Sequence, residues 1–368
     1  MHATTRGGSK TVSDDPRSAR SVTLPDSYTY PTEICAGFTA NLTVGPPISC
    51  PAMRESDLLA HIARRSAELQ RQFPQVLIGP GDDCAHVAAG PGGVLVSVDH
   101  VIEGRHVLGP LLQGATSLEL VARKAIARSV SDLAAMAGTP QWALATAALP
   151  GDWPQAMADE LFDHMHRWAN HFGCPLVGGD IATQASGAAL VLTTTVAGTP
   201  HKTRGPVRRD GARVGDDVWV TGKLGGSFAS GRHLMFEPRV REAIALSDLL
   251  GDRLHAMIDL SDGLGRDSAR IGAASRVMLR LQQARVPLHD GSVSPHEGED
   301  HELLFTVAAD AVMPAMIAGT ELTKIGTVSA ASGAGGCVMI ESDGRAIDAA
   351  ELGWDHAGGI GRVMNSGA

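Results

Sequence analysis

The chain has 368 residues, of which 43% are hydrophobic and 19% charged, with a net charge of −9 at neutral pH. That length and balance fit two folded domains and exclude a disordered chain. An acidic chain with 4% aromatic residues lacks the clustered cations and stacking surface of a general nucleic-acid binder, so no nucleic-acid partner is expected. The cysteines Cys35, Cys50, Cys84, Cys174 and Cys337 are scattered and form no C-x-x-C, which predicts a reducing, cytoplasmic setting. No apolar run reaches the roughly 18 residues of a membrane span, so no membrane partner is expected either.

Residues 1–52 are rich in Ser, Thr, Arg, Pro and Gly without a periodic apolar face, and a disordered N-terminal extension is expected there. Met53 opens "MRESDLLAHIARRSAEL", an amphipathic helix and the expected start of the functional polypeptide. Strands and helices then alternate. "GGVLVSVDHV" (92–101) predicts a strand, "SLELVARKAIARSVSDLAAMAG" (117–138) a helix ending at Gly138, and "QWALATAALP" (141–150) a strand stopped by Pro150. A second long helix follows over 153–173, with strands at "PLVGGD" and at 187–198. The basic, Gly-rich segment 201–216 reads as a domain junction. Beyond it come a strand at "DVWVTG", helices at "GSFASGRHLMF", "REAIALSDLL" and "GLGRDSARIGAAS", and a strand at "HELLFTVAA". The pattern predicts an α/β (α+β) protein with domains at 53–205 and 206–360 and a tail at 361–368.

Acids recur beside Gly or Ser at the ends of apolar runs: Asp82 and Asp83, Asp99, Asp132, Asp180, Asp259 and Asp262. Taken singly, each reads more naturally as a turn or helix-cap residue. As a set they repel one another unless a hard cation lies between them, and Mg²⁺ suits an all-oxygen donor set near phosphates. Asp132 stands inside an apolar helical pattern, where an unpaired acid is destabilising. "VGGD" (177–180) and "VTGKLGGS" (220–227) are Gly-rich segments after strands that could admit phosphate oxygens, although a tight turn explains either equally well. No P-loop or strand–G-x-G-x-x-G–helix motif is present. His164, His166 and His171 read as a solvated helix face, and His106 as a substrate-facing or surface histidine.

In order, "GPGDDCAHV", "SVDHVIEGRHV", "RKAIARSVSDLAAMAGTP", "VGGD", "RRDGARVGD", "VTGKLGGS", "HLMFEPRV", "IDLSDGL", "GEDHELLFTV", "IGTV" and "GWDHA" resemble the successive motifs of the thiamine-monophosphate kinase family. That family belongs to the superfamily related to aminoimidazole ribonucleotide (AIR) synthase, and the resemblance covers about residues 53–357. It implies a two-domain fold in which the N-terminal sheet forms a homodimer interface, with ATP in the cleft. The implied reaction is ATP-dependent phosphorylation of thiamine monophosphate, with ATP and Mg²⁺ as cofactors. By motif, Asp83, Ser97, Asp99, Asp132, Asp180, Asp259 and Asp262 would serve the metal, with Asp132 and Asp262 central to catalysis. Gly179, Asp180, Arg209 and Ser261 would serve ATP, and His106, Glu299 and Trp354 the acceptor.

The chain differs from the family pattern at Val98, Ser129, Ile181, Ala182, Gly226 and His301. Its segment between Pro287 and Glu299 is short, with 11 residues. Two other readings follow from these differences: a kinase or ligase of the same fold acting on another small phosphorylated metabolite, and a binding protein without chemistry.

Overall fold

The computed structural model describes residues 71, 74, 76–78, 82–89, 92–109, 111, 114, 116–355 and 359–360. The expected extension at 1–52, the helix at 53–69 and the tail at 361–368 lie outside the described residues. Two sheets carry the fold. The first has six strands in the order β1 (Val76–Ile78), β2 (Ala85–Val87), β3 (Val94–Ile102), β6 (Val191–Thr199), β4 (Thr139–Leu149), β5 (Leu176–Thr183). Only the β4–β5 pair in it is parallel. The second sheet runs β14 (Ala346–Asp348), β13 (Gly336–Ile340), β9 (Val277–Gln282), β12 (Thr320–Ala330), β7 (Asp217–Thr221), β10 (Leu303–Val307), β8 (Leu254–Asp259). The segment 201–216, read from sequence as a junction, lies between β6 and β7.

Two helices cover one face of the first sheet. Helix α1 (Leu118–Ala135) starts at Ser117, whose Oγ accepts the Leu120 N–H at 3.4 Å, and packs with α2 (Gln155–His171) over Leu95, Leu192 and Val196. Side chains alternate along the strands with period two, so each central strand presents one buried and one open side. In β3 the residues Leu95, Ser97 and Val101 are buried, while Val98 and His100 are exposed. The open face also carries Trp142 and Leu144 of β4.

The second sheet packs helix α4 (Leu264–Ser275) over Val218, Ile258, Leu279 and Met339. A third apolar cluster joins the halves: Ala135 and Ala137 at the end of α1 meet Leu246 of α3 (Val240–Leu250) and Phe305 of β10. Helix α1 is therefore buried on nearly all sides, and any charge it carries must be compensated inside the protein.

The helix expected at "GSFASGRHLMF" is instead a run of turns with a single 3₁₀ turn at Arg232–Leu234. Gly225, Gly226 and Gly231 adopt positive φ there, and the Ser230 hydroxyl bonds back to the Gly226 carbonyl at 2.7 Å, which competes with helix formation. The strand expected at "PLVGGD" is observed as β5, and "VGGD" lies within it and not in a loop after it.

Candidate active site

The N-terminal half of the site hangs on α1. Lys124, Arg128 and Asp132 follow one another at i, i+4 and i+8, so they form a single charged stripe along the helix. Across from this stripe, segment 299–302 is pinned beside the end of β8. Glu299 N–H donates to the Ser261 carbonyl at 2.7 Å, His301 N–H to the Leu260 carbonyl at 2.8 Å, and Leu260 N–H to the Glu302 carbonyl at 2.8 Å. Glu299 and His301 both hold positive φ, 59° and 52°, an uncommon conformation for residues with a Cβ that is found mainly where the surroundings enforce it.

Carboxylate oxygens of Asp83, Asp132 and Asp259 lie within 4.8 Å of one another. They come from the β1–β2 connection, from α1 and from the end of β8, so three separate elements converge. Ser97 of β3 donates its hydroxyl to Asp132, and Ser131 donates to Asp259 at 2.7 Å. Arg209 clamps Asp83 through Nε at 2.7 Å and through Nη2. Its backbone N–H reaches Asp82 at 3.3 Å.

The charges do not balance easily. Burial pushes the Asp132 carboxyl well above the usual carboxylate range, and neighbouring Asp99, Asp259 and Asp83 push it further. Burial likewise holds Asp83 well up, although Arg209 pulls the other way. Asp259 goes down despite its burial, because His301, Ser131 and Arg209 favour its ionised form. The protein alone thus leaves protons on acids that a cation would displace. Three carboxylates in one partly buried cluster, two of them with raised proton affinity, fit a hard divalent ion such as Mg²⁺.

A second layer faces Glu299. Lys124, fully buried, contacts Glu299 Oε2 at 2.9 Å, the His106 carbonyl at 2.7 Å and His233 Nδ1 at 2.8 Å. Burial lowers its pKa to about 8 even though Glu299 works against that. Arg128 reaches Glu299 at 2.9 Å and Asp99 at 3.4 Å. Burial alone would raise Glu299, yet Arg128 and Lys124 outweigh it and hold the carboxyl well below its usual range.

The acids and partners expected from sequence are distributed unequally around this centre. Asp83, Asp132 and Asp259 form the cluster, Ser97 bonds to it, and Asp99 adjoins it through Arg128. Asp262 binds Arg270 at 2.5 Å, and its carbonyl accepts the Trp354 N–H at 2.8 Å. Asp180 stands apart. It pairs across the sheet with Thr146 in the row that holds Thr193 and His100, on the open face and exposed to solvent. His106 turns inward, its Nδ1 accepting the Ile102 N–H at 3.0 Å.

Gly179 lies in the row of Asp99, opposite Ala145, and an added Cβ would run into the Ala145 carbonyl oxygen. Gly179→Ala is therefore expected to disrupt the β4–β5 pairing and cost about 1–3 kcal/mol, read by chemical denaturation. Sequence reasoning missed Lys124, Arg128 and the bridging role of His301. The signal for the first two was present in the i, i+4, i+8 spacing of charges along one helix.

This fold and this acid cluster define a protein of the AIR synthase-related class. The family model described as "AIR synthase related protein, N-terminal domain" matches residues 81–199. Thiamine-monophosphate kinase of Rhodopirellula baltica is 34% identical over 76% of this chain and 90% of its own length. The Escherichia coli K12 enzyme of the same name is 32% identical over 67% and 81%. Among solved structures, AaThiL complexed with AMPPCP and TMP superposes with a TM-score of 0.67 at 26% identity, covering 83% of this chain and 100% of that one. Thiamine-monophosphate kinase from Stenotrophomonas maltophilia gives a TM-score of 0.57 at 26% identity, over 80% and 98%. The chain belongs to the thiamine-monophosphate kinase family.

Proposed function

We propose that this protein transfers the γ-phosphoryl group of ATP to thiamine monophosphate, giving thiamine diphosphate and ADP. The observation that carries this reading is the convergence of Asp83, Asp132 and Asp259 in a chain whose relatives bear that activity in their names. Asp83, Asp132 and Asp259 would hold Mg²⁺, with Ser97 orienting Asp132 and with Asp99 and Asp262 adding negative charge around them. Asp180 is left out of this set. Bound there, Mg²⁺ offsets phosphate charge and polarises the transferring group.

Arg209 supplies a fixed guanidinium for nucleotide phosphates, and Ser261 lies between Asp259 and Asp262 in the segment that follows β8. Glu299 and Trp354 serve the acceptor, while His106 sits behind Glu299 through Lys124. The acceptor is itself a phosphate oxygen, so no general base is assigned.

The test is direct. Purified protein given ATP, Mg²⁺ and thiamine monophosphate is expected to form thiamine diphosphate, measured by chromatography. Tight ATP binding without turnover would redirect the assignment to another small phosphorylated acceptor.

The reading includes a cytoplasmic homodimer. Cys84, Cys174 and Cys337 are free and buried, in keeping with a reducing compartment. No helix among the described residues is long and apolar enough to cross a membrane. The open face of the first sheet exposes Val98 at 60%, Trp142 at 38% and Leu144 at 37%, an apolar surface that pairing with a second copy would cover. Leu144→Lys is expected to shift the protein from dimer to monomer in light scattering coupled to size exclusion.

A further inference from the structure

His301 occupies a position that neither half of the site explains alone. Its Nδ1 lies 3.2 Å from Asp259 Oδ2 and its Nε2 3.4 Å from Glu299 Oε2. The ring therefore spans the gap between the acid cluster and the acceptor-facing carboxylate. It is 2% exposed and lies against Phe236 at 3.9 Å between centroids and 19° between planes, which holds the plane of the ring and leaves its position within that plane to the two carboxylate contacts. The backbone beneath it is fixed as well, through the positive φ at residues 299 and 301 and the bonds to Leu260 and Ser261.

We infer that His301 is a positioning residue that couples Glu299 to Asp259, so that the occupancy of one half of the site is felt by the other. Asp259 Oδ2 takes both Ser131 and His301, which makes it the oriented oxygen and leaves Oδ1 for a cation. Glu299 holds the far side of the ring. A change at Glu299 frees the ring, and a freed ring withdraws one of the two bonds that orient Asp259. The direct field of Glu299, which Lys124 and Arg128 approach at 2.9 Å each, acts on the cluster in every His301 background and therefore cancels from a double-mutant cycle.

The inference deepens the reading of the cluster as a divalent-cation site and rests on it. It does not depend on which acceptor the enzyme phosphorylates. Here the bistable element required for coupling is a single ring with two carboxylate contacts, and the physical test is whether both ends respond to it.

A double-mutant cycle on Mn²⁺ affinity decides the matter, with free Mn²⁺ read by electron paramagnetic resonance on metal-free protein and no nucleotide present. Glu299→Gln is expected to change the Mn²⁺ dissociation constant by about fivefold or more in the wild-type background. In the His301→Phe background the same substitution is expected to change it by less than about twofold. His301→Asn serves as the second variant, because its amide N–H falls near the Nδ1 position and can keep the Asp259 bond without reaching Glu299. It is expected to bind Mn²⁺ nearly as the wild type does and to be insensitive to Glu299→Gln. Equal effects of Glu299→Gln in all backgrounds would make His301 a merely structural residue and overturn the inference alone. Absence of Mn²⁺ binding to the wild type would overturn the cation site and the inference with it.

Discussion

Asp132→Asn is expected to reduce phosphoryl transfer by about 10²–10³-fold while making the metal-free protein more stable. The two effects have one cause. Asp132 is half-buried beside Asp99, Asp259 and Asp83, and its carboxyl is held well above its usual range by loss of solvent first and by those acids second. Ionising it inside the fold therefore costs free energy that the unfolded chain does not spend. The sign follows from the raised folded value. Below the unfolded value of 3.8 the group is protonated in both states and costs nothing. As pH rises past that value, the unfolded chain ionises first and the folded state loses stability relative to it.

The isosteric amide removes the charge and can still accept the Ser97 hydroxyl. A stability gain on the order of 1 kcal/mol or more is expected at neutral pH, measured by denaturation in chelator. Adding Mg²⁺ reverses the order, since binding to the folded state stabilises it by mass action, and the wild type gains more than the variant. A variant that loses activity and stability together would mean that Asp132 is a structural acid, not a cation ligand.

How much of this site was readable in the sequence depended on what each residue needs from its neighbours. Asp83, Asp132 and Asp259 were identifiable because acids at the ends of apolar runs are costly wherever they fold, and three elements had to answer that cost in one place. Asp180 matched the same local pattern. Its separation from the others is a matter of strand parity, because one step along β5 from Gly179 moves the side chain to the opposite face. Parity depends on the register between β4 and β5, which no local pattern contains.

For His106, a histidine after "VIEGR" reads as substrate-facing or surface, and the turn at 102–106 folds its Nδ1 onto the Ile102 N–H, which no local pattern shows. In the fold, strands with alternating burial such as β3 were legible. The fully buried strand β8, which shows no alternation, was not. The turns at 226–236 were misread as a helix because apolar Phe228 and Met235 fall seven residues apart, two helical turns. Gly225, Gly226 and Gly231 decide the backbone.

Arg128→Met is expected to be among the most damaging single substitutions for stability, costing about 3–5 kcal/mol. The guanidinium is buried in α1 and spans two carboxylates, Glu299 at 2.9 Å and Asp99 at 3.4 Å. Burial works to lower its pKa, yet Glu299, Asp99, Asp132 and Asp262 together raise it above the ordinary value, so it stays charged at every accessible pH. Methionine fills much of the same space and suits the helix, so the loss isolates the charge. It strands Asp99 beside a cluster that already repels it, and it leaves Glu299 to Lys124 and His301. Arg128→Lys tests the geometry separately: a single ammonium cannot hold two carboxylates that approach from different sides as a planar fork does, so partial rescue of stability with little rescue of turnover is expected. Chemical denaturation of the three proteins, with and without Mg²⁺, checks this. The Met variant should recover less than the others when Mg²⁺ is added, because its deficit lies at Glu299 as well as at the acids. Wild-type stability in the Met variant would show that Asp99 and Glu299 need no cation between them.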